Sequence, residues 1–214
     1  MLRCSAPEPS PAHVRSERMS SVHNISRQRS GLSPFAAALA VGGALAAAGI
    51  VSARYSPNPA NRRIWRWYRR LEQPAAKPPD VVFGGVWPVL LAGLGYGAWR
   101  LLQRPPAPAR NAAVALAGTT LGLVVYYSKL TFGDRRLSAG VAESAALVTT
   151  AAAFSLTAAR EDRIAALTAV PLTVWSSFGG WLTNELARKN PRLDADQTPA
   201  AAPAAASLRA AEPG

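Results

Sequence analysis

Residues 81–99 read VVFGGVWPVLLAGLGYGAW, a stretch of 19 residues between Asp80 and Arg100 that contains no Asp, Glu, Lys or Arg. A transmembrane helix needs about 20 consecutive, predominantly apolar residues, so this stretch is long enough to cross a bilayer. A helix of a soluble all-α protein would instead show one polar face. Here only Gly, Pro and uncharged aromatic residues interrupt the aliphatic side chains. The stretch therefore predicts a membrane-spanning helix.

Four further stretches of similar length contain no charged residue or only one. Residues 30–53, 111–128 and 164–184 contain no Asp, Glu, Lys or Arg, and residues 137–159 contain only Glu143. The chain is therefore predicted to be an all-α membrane protein, a five-transmembrane-helix bundle, with a soluble all-α protein as the less favoured alternative. The expected spans are residues 34–53, 81–102, 111–129, 137–159 and 164–186.

The composition excludes several classes of protein. The 214 residues include 24 Lys and Arg against 12 Asp and Glu, a net charge of +12. Such a charge can indicate nucleic-acid binding, but here the basic residues flank apolar spans and are expected to anchor helix ends, so no nucleic-acid partner is predicted. The only Cys is Cys4, and both His residues, His13 and His23, precede the first span. No disulfide framework, metal site, catalytic residue or required cofactor is therefore expected.

The chain divides into three regions. Residues 1–33 form a Ser- and Arg-rich leader, which we expect to be disordered or an organelle transit peptide. Residues 34–189 form the membrane domain, and the Ala- and Pro-rich residues 190–214 are expected to be a disordered tail. Lys and Arg are more numerous on the side of the first loop and the C-terminus, which predicts that side to be cytosolic. The sequence does not identify which membrane holds the protein: a bacterial, mitochondrial outer, or plastid membrane, or that of the endoplasmic reticulum and Golgi.

A family signature overlaps the second span. Residues 67–95 read WYRRLEQPAAKPPDVVFGGVWPVLLAGLG. This stretch resembles the signature of the TspO/MBR family, which comprises the tryptophan-rich sensory proteins and the mitochondrial translocator proteins, or peripheral-type benzodiazepine receptors. Three later blocks are similar to family motifs in the same order: residues 132–136 (FGDRR), Ala139 with Glu143, and Pro171 with Trp175 and Phe178. The resemblance covers residues 34–191 and implies a five-helix membrane bundle.

The resemblance also implies a function. Members of the family bind tetrapyrroles such as porphyrin and heme, or sterols and other hydrophobic ligands, in transport, sensing or stress regulation. Residue matches place the ligand pocket at Phe83, Trp87, Leu91, Tyr127, Glu143, Pro171, Trp175, Phe178 and Gly179. The first loop would cover it as a lid, with Trp67, Tyr68, Pro74, Pro78 and Pro79. Dimerisation through the third span would use Gly118 and Gly122.

Each of these candidates has a structural alternative. Trp87 and Trp175 could be packing residues instead of pocket residues, and Gly118 and Gly122 could serve packing inside the bundle. Glu143 is the only carboxylate within the five nearly uncharged stretches. Carboxylates inside a membrane are costly and often functional, yet Glu143 could form a structural hydrogen bond to Tyr126, Tyr127 or Ser128. The basic first loop could contact acidic ligand groups or lipid headgroups.

Several positions depart from the family signature. Gln73 stands where the family has Lys, Leu91 where it has Tyr, and Val124 and Tyr127 where it has Asn and Trp. Other positions that depart are Ala76 for an aromatic residue, Gly85 for Pro, Pro88 for Thr, Leu172 for Tyr and Thr183 for Asn. An alternative function is therefore a divergent paralogue that keeps the bundle but binds no porphyrin and acts as a membrane interaction or scaffold protein. A porphyrin-degrading enzyme is disfavoured because the spans offer no nucleophile and base pair.

Overall fold

The computed structural model describes residues 30–197, and these residues form helices joined by turns, with no strand among them. The elements are α1 (Pro34–Ala53), α2 (Arg62–Tyr68), α3 (Asp80–Leu102), α4 (Pro108–Tyr127), α5 (Leu137–Ala158), α6 (Arg163–Thr168) and α7 (Val170–Lys189). A π-helical segment, Ser128–Gly133, extends α4. The predicted leader, except its last four residues, and the tail beyond residue 197 lie outside the described residues.

Four of these helices are long and apolar enough to cross a membrane: Pro34–Ala53, Asp80–Leu102, Pro108–Gly133 and Leu137–Ala158. They coincide with the first four predicted spans, which confirms an all-α membrane fold. The fifth predicted span is not one continuous helix, because it is divided at Ala169 into α6 and α7. Pro171 has no backbone N–H to donate to the carbonyl four residues earlier, and this interrupts the helix.

Helix α5 lies at the centre of the fold, packed along α4 on one side and α7 on the other. Helix α3 packs against α1, α4 and α6 but makes few contacts with α7. Small residues on α3 allow the neighbouring helices to approach it closely. A Cβ atom added at Gly97 would lie 2.9 Å from the carbonyl oxygen of Ala165. One added at Gly95 would lie 2.7 Å from Leu45, so opposite faces of α3 meet α6 and α1.

An ion-pair cluster holds one end of the bundle. Asp162, in the turn between α5 and α6, accepts hydrogen bonds from Arg100 Nε and Arg104 Nη2, each at 2.9 Å. Its other oxygen caps α6 by accepting from the backbone N–H groups of Ile164 and Ala165. One carboxylate therefore joins the end of α3 to the start of α6.

The first loop and the C-terminal end of the described chain meet at the opposite end of the bundle. Residues 190–197, here called the C-terminal strap, were predicted to be part of a disordered tail, and for these residues that prediction is wrong. Asp194 is completely buried and accepts hydrogen bonds from the backbone N–H groups of Leu137 and Ser138 at the start of α5. The composition of the tail predicts disorder. The hydrogen-bond partner Leu137 lies 57 positions before Asp194, so no local sequence pattern indicates that these residues are held in place.

Candidate ligand-binding cavity

A cavity of about 830 Å³ lies between α1, α3, α4 and α7, at the end of the bundle that carries the first loop. The first loop, residues 54–79, is here called the lid loop, and it supplies several of the lining side chains. The C-terminal halves of α1, α4 and α7 and the N-terminal half of α3 supply the rest. The cavity is thus a space between helix ends rather than a groove within one helix pair.

Helix α3 provides the largest wall. Phe83, Gly84, Trp87, Pro88 and Leu91 line the cavity, and their spacing of three or four residues places them on one face of the helix. Since Pro88 has no N–H, it cannot donate to the carbonyl of Gly84, and both residues border the cavity. The indole of Trp87 is only partly buried, so part of its surface is open to the cavity.

The opposite wall comes from α4, the π-helical segment and α7. Tyr127 lines the cavity, and its hydroxyl is hydrogen-bonded to Thr183 Oγ1 at 2.6 Å. Phe132 packs edge-on against the Tyr127 ring, with ring centres 5.9 Å apart. Gly179 and Leu182 of α7 complete this wall. The middle of the cavity is therefore bordered by aromatic rings and aliphatic side chains.

Polar side chains collect where the lid loop meets α3. The hydroxyl of Tyr68 donates to Asp80 Oδ1 at 2.8 Å, and Lys77 forms an ion pair with the same carboxylate. Burial, reinforced by the neighbouring Asp80, raises the pKa of Tyr68 above its ordinary value. Gln73 lines the cavity, and its buried Oε1 accepts no hydrogen bond from the described residues. This end of the cavity can therefore meet a polar or charged part of a ligand.

A row of aromatic rings continues from the cavity along α7. Phe83 and Trp175 have ring centres 5.6 Å apart, and Trp175 and Phe178 are equally close. Trp175 does not itself line the cavity, but it supports Phe83, which does. The contribution of Trp175 to any ligand site is thus indirect.

The structure brings together only part of the predicted site. The predicted residues that line the cavity are Phe83, Trp87, Leu91, Tyr127 and Gly179, with Tyr68 and Pro74 of the lid loop. Those that lie outside the lining are Glu143, Pro171, Trp175 and Phe178, with Trp67, Pro78 and Pro79 of the lid loop. The roles of all these residues in binding a ligand stay predictions.

Glu143 is buried within α5 and does not line the cavity. Neither of its carboxylate oxygens accepts a hydrogen bond from the described residues. The structural alternative, a hydrogen bond to Tyr126, Tyr127 or Ser128, is therefore not observed. The hydroxyl of Tyr127 bonds to Thr183 instead.

Trp67 faces away from the cavity. Its indole Nε1 donates to the carbonyl oxygen of Leu193 in the C-terminal strap, at 3.1 Å. Asn190 makes a second link, because its side chain accepts from the backbone N–H of Glu72 and donates to the carbonyl of the same residue. The lid loop is thus attached to the strap by side-chain hydrogen bonds.

One wall of the cavity is formed by α1 and was not predicted from the sequence. Leu45, Ala46, Gly49, Ser52 and Ala53 of α1 line it. Apart from Ser52, these residues are of the same types as the rest of α1, so no sequence signal could have found this wall. Phe132 was also missed, although it belongs to the FGDRR block and could have been found there.

Gly118 and Gly122 lie on the outer surface of α4. A Cβ atom added at either residue would meet nothing within 4 Å among the described atoms. The alternative that they serve packing inside the bundle is therefore not supported by their positions. Their role in a homodimer stays a prediction.

The sequence model of the TspO/MBR family matches residues 36–188, which cover the helices from the third residue of α1 to the penultimate residue of α7. The chain belongs to this family. It is 30% identical over 155 residues to the tryptophan-rich protein TspO of Chlorobaculum tepidum, covering 72% of this chain and 95% of that protein. It is 28% identical over 115 residues to the human translocator protein, covering 53% of this chain and 68% of that protein. These matches and the apolar helices together show that the chain is an integral, multi-pass membrane protein of the TspO/MBR family.

Many, but not all, of the departures from the TspO/MBR signature lie at the cavity. Gln73, Pro88, Leu91, Val124 and Tyr127 line it, whereas Ala76, Gly85, Leu172 and Thr183 do not. The cavity of this member of the family is therefore lined in part by residue types that differ from those of the signature.

Proposed function

We propose that this TspO/MBR protein is a membrane receptor or transporter that binds a flat hydrophobic ligand of the tetrapyrrole class in the cavity. The observation that carries the proposal is the cavity's lining, in which Phe83, Trp87, Tyr127 and Phe132 surround a volume of about 830 Å³. Cavities that bind small molecules commonly measure about 300–1,000 Å³ and are lined mainly by apolar and aromatic side chains. Flat conjugated ligands stack favourably on indole and phenol rings.

The polar end of the cavity supports an amphipathic ligand. Lys77 lines the cavity, and its ammonium group lies 6.0 Å from the centre of the Phe83 ring. Porphyrin carboxylates could pair with Lys77 there, while Gln73 offers a free acceptor to a hydrogen-bond donor. A sterol, with one hydroxyl and no carboxylate, would use only part of this end.

The alternative function is a scaffold that has kept the bundle and lost porphyrin binding. It is favoured by the location of the substituted residues, because Gln73, Leu91 and Val124 all face the cavity. Aliphatic residues at positions 91 and 124 remove polar partners that the signature would place there. A titration with protoporphyrin IX distinguishes the two functions.

The experiment is a titration of the detergent-solubilised full chain with protoporphyrin IX, followed by the absorbance of the porphyrin itself. Trp87→Ala should weaken binding by about tenfold, or ~1.4 kcal/mol, because Trp87 lines the cavity. Trp175→Ala should have a smaller effect, since its ring reaches the cavity only through Phe83. Lys77→Gln should weaken porphyrin binding but leave sterol binding unchanged.

Trp99→Phe is the matched control. Trp99 lies near the other end of α3, where its indole Nε1 donates to the carbonyl oxygen of Pro34 at 3.0 Å. Its replacement should leave the porphyrin affinity unchanged. Saturable binding of a fluorescent sterol without porphyrin binding would overturn the tetrapyrrole assignment, and no saturable binding of either ligand would favour the scaffold.

A further inference from the structure

Helix α2 of the lid loop has two chemically distinct faces. Ile64, Trp67 and Tyr68 are buried, and Leu71 just beyond the helix is buried with them. The exposed residues on the other side are all arginines, here called the arginine face: Arg62, Arg63, Arg66, Arg69 and Arg70. The helix is therefore amphipathic, but its apolar side is already covered by the protein.

The arginine face lacks acidic partners within the described part of the chain. The nearby carboxylates are engaged elsewhere, in the pairs Glu72–Lys189, Lys77–Asp80, Lys129–Asp134, Arg136–Asp196 and Glu185–Arg188. Within α2 the Nε of Arg66 donates only to the backbone carbonyl of Arg62. The five arginines are thus exposed, and none of them forms a salt bridge with a carboxylate in the described part of the chain.

Because α2 connects the ends of two helices that are long and apolar enough to cross a membrane, we expect the arginine face to lie near the membrane surface. The helix lies in the segment that joins the end of α1 at Ala53 to the start of α3 at Asp80, and both of those helices are membrane spans. Trp65 is partly exposed beside the arginine face, with its ring 5.9 Å from the guanidinium carbon of Arg69. Trp and Arg are the residues that settle among lipid headgroups.

We propose that the arginine face of α2 binds the headgroups of anionic phospholipids in the leaflet that surrounds the mouth of the cavity. Guanidinium groups donate paired hydrogen bonds to phosphate, and clusters of basic residues next to a membrane span attract anionic lipid. A protein partner fits less well, because stable protein interfaces have an apolar core and the apolar residues of α2 are already buried. Binding of lipid to this face does not require a ligand in the cavity.

The test measures hydrogen exchange of the full chain in phosphatidylcholine nanodiscs with and without phosphatidylglycerol. Amides of residues 62–70 should exchange about fivefold more slowly in the anionic discs, because bound headgroups hold α2 in place. The protection should weaken at high salt. Amides of α5, in the centre of the bundle, should exchange equally in both discs.

Two variants complete the test. Replacement of all five arginines by Gln should abolish the effect of phosphatidylglycerol, whereas replacement by Lys should retain most of it. Unchanged exchange of α5 in both variants checks that the bundle is folded. Equal exchange of residues 62–70 in the two kinds of disc would overturn the proposal, and so would protection of α2 by polyglutamate but not by anionic lipid, which would indicate an acidic protein partner.

Discussion

Asp194 caps the N-terminus of α5: its Oδ1 accepts a hydrogen bond of 2.9 Å from the backbone N–H of Leu137, 57 positions earlier in the chain. Its Oδ2 accepts from the backbone N–H and the hydroxyl of Ser138. Helix N-termini are usually capped by the residue that precedes them, but here Arg136 offers no such side chain. The cap therefore ties the C-terminal strap to the central helix.

Asp194→Ala should destabilise the protein by roughly 1–2 kcal/mol, because it leaves buried N–H groups of α5 without an acceptor. The measurement is the midpoint of thermal unfolding in detergent. Asp194→Asn, which keeps an acceptor oxygen, should cost less. Asp134→Asn is the control, since Asp134 forms only an exposed ion pair with Lys129, and an equal loss of stability in that variant would contradict the cap's role.

Asn190→Ala should loosen the lid loop without unfolding the bundle. The change removes the two hydrogen bonds that join Asn190 to the backbone of Glu72. Amides of residues 62–72 should then exchange with solvent faster, while those of α3 and α5 should not. Trp67→Phe, which keeps an aromatic ring but loses the hydrogen bond to Leu193, should act in the same direction. Slower or unchanged lid exchange in both variants would show that the strap does not hold the lid loop.

Gly97→Ala should destabilise the bundle by about 1–3 kcal/mol, as over-packed positions do. The new Cβ would lie 2.9 Å from the backbone oxygen of Ala165 and 3.2 Å from Phe154, so α3 and α6 would have to separate. Gly43→Ala on α1 is the matched control, because nothing lies within 4 Å of its added Cβ. Thermal unfolding of the two variants side by side tests the prediction. Equal melting temperatures would mean that this helix contact can relax at no cost.

The cluster around Asp162 should make stability depend on pH in the acid range. Burial alone would raise the pKa of Asp162, but hydrogen bonds from the Ala165 N–H, Arg100 and Arg104 outweigh it and hold the pKa below its usual value. A lowered pKa stabilises the fold above the pKa of the unfolded state, about 3.9 for Asp, and this stabilisation is lost as the pH falls through the folded-state value.

Asp162→Asn should therefore lower the melting temperature at neutral pH, and the difference from the unchanged protein should shrink at about pH 3. Thermal unfolding at both pH values measures it. Glu161→Gln removes the adjacent carboxylate, which takes no part in the cap, and should leave the pH dependence as it is. A difference that stays constant with pH would assign the effect of Asp162→Asn to packing and not to charge.

Gly118→Leu with Gly122→Leu should weaken self-association if α4 forms a homodimer contact. Both glycines are on the outer surface, and small residues at this spacing let two helices approach closely in a membrane. Chemical crosslinking in nanodiscs at several protein-to-lipid ratios measures the dimer fraction. Gly42→Leu on the equally open face of α1 is the control, and a comparable loss of dimer in that variant would move the contact away from α4.

Part of the cavity could be predicted and part could not. Phe83, Trp87 and Leu91 are spaced to share one face of α3, so their common wall follows from helix periodicity. Trp175 was assigned to the pocket by its motif, but in the packed bundle its ring lies against Phe83, and Phe83 lines the cavity while Trp175 does not. The lining residues of α1 resemble their neighbours, so only the packing of α1 beside α3 distinguishes them.

The amino-acid sequence by itself determined the membrane fold, because uncharged stretches of bilayer length leave a helix as the conformation that satisfies the backbone hydrogen bonds in lipid. It also determined the family and most of the helix ends. The tertiary structure decided where the cavity lies, that Trp67 turns toward the strap, and that Asp194 caps α5. These contacts join residues that are distant in the chain, and their formation depends on how whole helices pack and not on any local sequence pattern.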